Sequence, residues 1–239
     1  MNKTKLSVNI NKVALLRNSR PGEFPDLIQV AKDCESFGAE GITIHPRPDQ
    51  RHIRYSDVPK LKEIVTTEFN IEGNPTREFM DLVCKYQPHQ CTLVPDAPDV
   101  LTSDSGYDTI VEKEFLSEIV AELHRNNIRV SIFIDPDPKQ LIGAKETGAD
   151  RVELYTGNYA KDYSIDPVKA VENHTQCAAV AAEAGIGLNA GHDLNLSNLA
   201  FYKNAVPGLQ EVSIGHALMA DALYYGLQTT IQLYQYRLK

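Results

Sequence analysis

The sequence predicts an α/β fold, a (β/α)8 TIM barrel with extra helices, including a C-terminal one. Three observations predict it. Eight short runs rich in β-branched and other apolar residues recur along the 239-residue chain. Between them lie stretches whose apolar residues return at helical spacing. Prolines and glycines fall where helices start and stop. Eight strand-then-helix units with short connections imply a parallel sheet, which in this length closes most economically into a barrel. A doubly wound open sheet would have fewer strands, and no glycine-rich dinucleotide fingerprint follows the first run. Residues 1–239 therefore read as a single barrel domain.

The elements follow in order. LSVNI (6–10) is the first strand, and the basic, turn-forming stretch Arg17-Asn18-Ser19-Arg20-Pro21-Gly22 reads as the loop after it. Leu27, Val30, Ala31 and Cys34 then share one helical face, closed by Gly38. GITIH (41–45) is the second strand and FNIE (69–72) the third. Asn74-Pro75 reads as a cap and first turn, where a proline loses no hydrogen bond. QCTLVP (90–95) is the fourth strand, and within the long segment after it LTSDSGYDT (101–109) suits a lid. Phe115, Ile119, Val120 and Leu123, bordered by Leu116, form the next helical face before RVSIFID (129–135). Asp137-Pro138 opens a helix and Gly148 closes it, and RVELYT (151–156) is the sixth strand. Asp166-Pro167 opens a helix striped by Val168, Val171, Thr175, Ala178 and Ala179, which Gly185 ends. IGLNAG (186–191) and EVSIGH (211–216) complete the barrel. Residues 217–238 read as one helix or two. Ile231, Leu233, Tyr234 and Tyr236 of the last part suit barrel packing or a subunit contact.

A formal charge of -8 and a pI near 5.4 exclude a general nucleic-acid or anionic-membrane binder, though a local cationic cluster could still hold a small phosphate. Cys34, Cys84, Cys91 and Cys177 form no CxxC pair, and free thiols suit a reducing cytoplasm. The first residues lack the apolar core of a signal peptide, and no run has the length of a membrane span. A cytoplasmic protein is expected.

Polar residues gather at the strand ends: Asn9, His45, Glu72, Asp135, Glu153, Asn189 with His192, and Gly215-His216. The C-terminal rim of such a barrel is where active sites are built. Each residue also has a plainer reading: a satisfied core histidine, a capping carboxylate, a structural partner for an arginine. Asp135 reads as the start of a turn, and His89, His124 and His174 as surface. His45, His52, Glu72, Glu153 and His192 could in principle ligate a metal, but no HxH or HExxH spacing is present. Arg47 and Arg51 between the two histidines suit a phosphate better. Arg20, the Gly215-His216 turn and AGHDLN offer further anion contacts. Two anion sites imply two phosphorylated substrates or one bisphosphate.

VNINKVALLRNSR, GITIHPRPDQRHI, the NIE of the third strand, LVPD, IFID, ELYTG, NAGHDLN and SIGHALM, in this order, resemble the pyridoxine 5'-phosphate synthase family. The resemblance implies a homo-octamer of (β/α)8 barrels that needs no metal or organic cofactor. It implies condensation of 3-amino-2-oxopropyl phosphate with 1-deoxy-D-xylulose 5-phosphate to pyridoxine 5'-phosphate, phosphate and water. It implies proton acceptors at His45 and Glu72 and a proton donor at His192. Asn9, Arg20, Gly215 and His216 would contact the aminoketone phosphate, and Arg47, His52 and Thr102 the deoxyxylulose phosphate. Glu153 would support the pocket. Many members carry Asp-His where this chain has Asn11-Lys12, positions that approach the sugar phosphate, and glycine where it has Asp193. The rival enzymes are another phosphate-binding barrel, an aldolase or a sugar-phosphate epimerase; no strand ends in the lysine that a Schiff-base aldolase wants. A non-catalytic phosphometabolite-binding protein would need neither Glu72 nor His45.

Overall fold

The computed structural model describes residues 3–96 and 104–239. Its strands are β1 (Lys5–Asn9), β2 (Gly41–Ile44), β3 (Glu68–Gly73), β4 (Gln90–Leu93), β5 (Arg129–Ile134), β6 (Arg151–Tyr155), β7 (Gly187–Gly191) and β8 (Leu209–Ile214). They pair in parallel, in chain order, and β8 closes on β1. The helices among the described residues are α1 (Asn11–Asn18), α2 (Leu27–Ser36), α3 (Asp57–Ile64), α4 (Arg77–Tyr86), α5 (Lys113–Arg125), α6 (Pro138–Glu146), α7 (Gly157–Asp162), α8 (Pro167–Ala184), α9 (Leu199–Ala205), α10 (His216–Tyr225) and α11 (Leu227–Arg237). The expected barrel with additional helices is the observed fold. No helix among the described residues is long and apolar enough to cross a membrane.

Strand residues alternate in character. Val8, Ile42, Ile44, Phe69, Ile71 and Ile132 are fully buried in the apolar layer under the helices. Burying each contributes about 1.5–3 kcal/mol. The alternate positions carry Ser7, Thr43, Asn70, Thr92, Ser131, Glu153, Asn189 and Glu211, all buried, which makes the lumen polar. Many such barrels fill that space with Val, Ile and Leu. Here a hydrogen-bonded ladder fills part of it, linking Ser7 to Thr43 (2.7 Å), Asn70 to Thr43 (3.4 Å) and Thr92 to Asn70 (3.1 Å).

Helix boundaries follow side-chain chemistry. Asp137 accepts the Lys139 N–H, and Asp166 accepts those of Val168 and Lys169, with proline first in each helix as expected. Gly185 ends α8 at φ +65°, a conformation glycine adopts without steric cost. Asn74-Pro75 does not open a helix: α4 starts at Arg77, capped by Thr76, and Asn74 donates instead to the Asp96 carbonyl at 3.0 Å. Two helical faces are rotated from expectation. On α5 the buried residues are Leu116, Val120 and Leu123, with Phe115 exposed; on α8, Val168 is exposed and His174 and Cys177 are buried. His174, expected at the surface, meets the Tyr202 hydroxyl at 2.9 Å, which satisfies its ring inside the core. The C-terminal stretch forms two helices, α10 and α11. Ile231 and Tyr234 pack inward and Tyr236 faces out.

Arg17 does not lie in an open loop. It lies in the last turn of α1 nearly fully buried, forked on Asp57 at 2.8 and 2.9 Å, and donates to the His52 carbonyl at 3.1 Å. Asn18 donates to the same carbonyl at 2.7 Å. A buried pair of this kind ties α1 to the loop after β2. Removing one partner strands the other charge, so Asp57→Ala is expected to destabilise the chain by about 3–5 kcal/mol. A urea unfolding midpoint compared with wild type measures it; an unchanged midpoint would refute the assigned role.

Candidate active site

Strand order decides which polar ends become neighbours. β1, β2 and β3 are adjacent, so Asn9, His45 and Glu72 share one side of the rim. Asn9 Nδ2 donates to Glu72 Oε2 at 3.4 Å, and its Oδ1 accepts the Asn11 N–H at 3.0 Å. Asn11 Oδ1 in turn accepts the His45 N–H at 2.9 Å. Asn11 thus holds the first residue beyond β2, where it was expected to approach a phosphate. The His45 and His52 rings lie edge to face, 6.1 Å apart. Arg47 is buried and paired with the equally buried Asp96, Nη1 to Oδ2 at 3.0 Å. His45, Arg47, Tyr55, Asn74, Phe79 and Asp96 line one small cavity.

Across the rim, β6 brings Glu153 and β7 leads into His192. Glu153 is buried, and its Oε2 has no hydrogen-bond partner among the described residues. It is not the arginine partner that its plainer reading suggested; Arg151 turns to Glu68 and Glu211 instead. A side chain at Gly191 would strike the Glu153 carboxyl and the Ser213 carbonyl, so glycine there lets Glu153 occupy the lumen. His192 Nδ1 lies 2.6 Å from Asp193 Oδ2. The Asp193 carboxylate therefore faces an imidazole. Gly215 precedes α10, where an added Cβ would meet the Asn9 side chain at 3.1 Å.

The remaining expected residues are more dispersed. Lys12, Arg20 and His216 are exposed, Arg20 in the loop after α1 and His216 as the first residue of α10. Arg51 pairs with Asp49 at 2.5 Å. Thr102 lies outside the described residues, as does the first part of the lid expected over 101–109. The rest of that stretch is fastened: Gly106 N–H donates to Asp135 at 3.3 Å, and Thr109 bonds Gln140 at 2.6 to 2.8 Å.

Burial sets the electrostatics. It pushes the Glu72 carboxyl up to about 8, aided by Asp96 and Glu211 and opposed by the Ser213 hydroxyl. Burial also holds Glu153 well above the usual carboxylate range, with Glu72 reinforcing it. Burial, Arg47 and His52 hold the His45 ring well below the usual histidine range, so it is a neutral imidazole. His52 is pushed down to about 4 by burial, Arg47 and Lys12. A carboxyl poised near neutrality and a neutral imidazole can exchange protons with a substrate between them.

Sequence reasoning missed four groups. Asp96 anchors Arg47. Thr156 holds the backbone around His192. Tyr155 packs 5.8 Å from the His192 ring. Glu211 lies deep in the lumen against Glu68, and burial, then Glu68, pushes it up to about 8. Glu211 and Ser213 alternate with Val212 and Ile214, a period-2 signal that points both inward.

Comparison with known proteins bears on this site. The family model described as "Pyridoxal phosphate biosynthesis protein PdxJ" matches residues 6–239. A protein of Christiangramia forsetii named pyridoxine 5'-phosphate synthase is 56% identical over 236 residues, covering 99% of this chain and 100% of the relative. Those so named in Cytophaga hutchinsonii and Bacteroides fragilis are each 58% identical, covering 99% and 97% of this chain and 99% and 98% of their own length. Among solved structures, 3-keto-L-gulonate-6-phosphate decarboxylase from Vibrio cholerae superposes with a TM-score of 0.68 at 11% identity, covering 99% of this chain and 98% of its own. Thiamine phosphate pyrophosphorylase from Pyrococcus furiosus gives 0.62 at 14%, covering 99% and 96%. At that identity the structural likeness speaks to the fold alone.

The raised carboxyls make stability depend on pH. Glu72 and Glu211 keep their protons up to about 8 in the folded chain, against 4.5 unfolded. The folded state therefore binds extra protons across that window. Their contribution to stability is full below 4.5 and is lost as the pH rises through about 8. Glu211→Gln replaces one buried acid with a neutral amide, so its urea midpoint should fall less than that of wild type between the two ends of the window. Parallel pH profiles of the two proteins would contradict the assignment.

Proposed function

The chain belongs to the PdxJ family and synthesises pyridoxine 5'-phosphate, and from that premise we propose how its own residues do so. The substrates are 3-amino-2-oxopropyl phosphate and 1-deoxy-D-xylulose 5-phosphate, and the co-products are phosphate and water. Joining two open-chain ketones into a pyridine ring takes imine formation, loss of phosphate, addition of water, an aldol-type closure and dehydration. Every step moves a proton on or off carbon, nitrogen or oxygen. The observation that carries the reading is the pair at the ends of β2 and β3. His45, which lines the small cavity, is a neutral imidazole, and Glu72 at the end of the adjacent strand, held by Asn9, is a carboxyl poised at about 8. These two take protons during the imine and enol steps. His192, across the rim, protonates a leaving hydroxyl, while Glu153 stays neutral in the lumen and keeps the developing charge near Glu72 low.

The phosphates are held by position more than by net charge. Arg47, fixed by Asp96, presents a rigid guanidinium to the sugar phosphate, and His52 and Thr102 are assigned to the same phosphate. Asn9, Arg20 and the turn at Gly215-His216 hold the aminoketone phosphate, where the backbone N–H groups opening α10 favour an anion. Lys12 supplies a cation at the sugar-phosphate side. Holding both substrates in register supplies much of the rate. Metal and organic cofactors play no part in this scheme.

We further infer a homo-octamer in a reducing cytoplasm. Leu223, Tyr224, Tyr225 and Tyr236 are exposed on α10 and α11, an apolar group suited to a subunit contact. The four cysteines are free thiols. Light scattering of the purified protein reads the assembly directly.

Mixing both substrates with the protein is expected to produce a pyridinol absorbance and one equivalent of inorganic phosphate, with or without chelator. Glu72→Gln and His45→Asn, shown to be folded, are each expected to lower kcat by about 100- to 10,000-fold. Wild-type turnover in both variants would overturn the assigned roles.

A further inference from the structure

His192 sits in a backbone conformation that few side chains adopt, with φ at +84°. Something must hold it there. Its own N–H donates to the Ser213 carbonyl of β8 at 3.2 Å. The peptide groups on either side of it converge on a single atom from β6's end. Thr156 Oγ1 donates to the Gly191 carbonyl at 2.5 Å and accepts the Asp193 N–H at 3.1 Å. Thr156 is fully buried, so water does not compete for these bonds. The loop beyond is braced as well, since Asn198 accepts the Asn195 N–H at 2.8 Å and Tyr159 donates to the Asn198 carbonyl at 2.7 Å.

We propose that Thr156 is a positioning residue for the reaction: its one hydroxyl, seated between the peptides flanking His192, holds that imidazole in register with the substrate. A hydroxyl is the group this place needs, because it must donate on one side and accept on the other. Asp193 completes the arrangement, because its carboxylate on His192 Nδ1 fixes the rotation of the ring once the backbone is fixed. The inference rests on the reading of His192 as the proton donor.

Thr156→Val removes the hydroxyl, Thr156→Ser keeps it, and His192→Asn removes the group it acts through. Thr156→Val is expected to lower kcat about 100-fold with KM for both phosphates unchanged, the signature of an interaction felt in the transition state. Thr156→Ser should restore most of kcat. Thr156→Val placed on His192→Asn should add no further loss, since both act on one step. The His192 ring resonance, assigned by its absence in His192→Asn, should move in Thr156→Val and stay in place in Thr156→Ser. Where Thr156→Val does not fold, Thr156→Ala carries the same expectations without a methyl pressed against the two peptides. Wild-type kcat in the valine or alanine variant, failure of serine to restore it, or additive loss on His192→Asn would each overturn the proposal. Wild-type turnover in His192→Asn alone would instead overturn the proton-donor reading of His192, while the resonance shift would still report whether the clamp exists.

Discussion

The lumen of this barrel holds more carboxyls than it can neutralise. Glu68, Glu72, Glu153 and Glu211 point into it, and two arginines, Arg129 and Arg151, share it with them. Both arginines sit at its N-terminal end and engage Glu68. Despite burial, Arg129, a hydrogen bond with Glu211, Arg151 and Lys5 together hold that carboxyl below its usual range. Of the other three, Glu211 has only a longer contact to Arg151 at 4.0 Å, and Glu72 and Glu153 have no ion pair among the described residues. In a low-dielectric interior an unpaired carboxylate is so costly that the group keeps its proton instead. Burial first, then Asp96 and Glu211, thus raises the carboxyl at the barrel's mouth.

That arrangement requires the barrel to be stabilised from outside. The apolar face of each strand is turned toward the helices, where Val8, Ile42, Ile71 and Ile132 are sealed in the main core. With cohesion supplied there, the lumen can carry hydroxyls, amides and acids without losing the fold. The ladder of Ser7, Thr43, Asn70 and Thr92 supports the site from below, since Asn70 and Glu72 are alternate residues of the same strand.

Much of this was legible in the sequence, and the physical reason is local. A strand whose apolar run breaks into His45, Glu72 or His192 announces its own pocket end, and proline and glycine announce the helices between. Asp137-Pro138 and Asp166-Pro167 act within one turn of chain, so their effect was readable. Asn74-Pro75 misled because its side chain serves the Asp96 carbonyl, a contact set by β3 lying beside β4. The burial of His174 depends on the Tyr202 hydroxyl across 28 residues, which no helical periodicity encodes. Asp96 and Glu211 were hidden for the same reason: each matters through a partner distant in sequence, Arg47 in the loop after β2 and Glu68 on β3. The alternation Glu211-Val212-Ser213-Ile214 did carry a signal, since strands buried on both faces usually read as continuous apolar runs.

The two halves of the rim are held by different physics. At β2 and β3 the groups are fixed by side chains: Asn9 to Glu72, Asn11 to the His45 backbone, Asp96 to Arg47. At β6 to β8 the backbone itself is gripped, with Ser213 and Thr156 holding a left-handed His192 in place. Glycines join the halves. Gly191 makes room for Glu153, and Gly215 makes room for Asn9, so a side chain at either would push an acid or an amide out of line with Glu72. Side-chain anchoring leaves charge and protonation adjustable, as proton acceptors require. Backbone anchoring, completed by Asp193 on Nδ1, leaves the His192 ring with one orientation, as a donor that must meet a single leaving group requires.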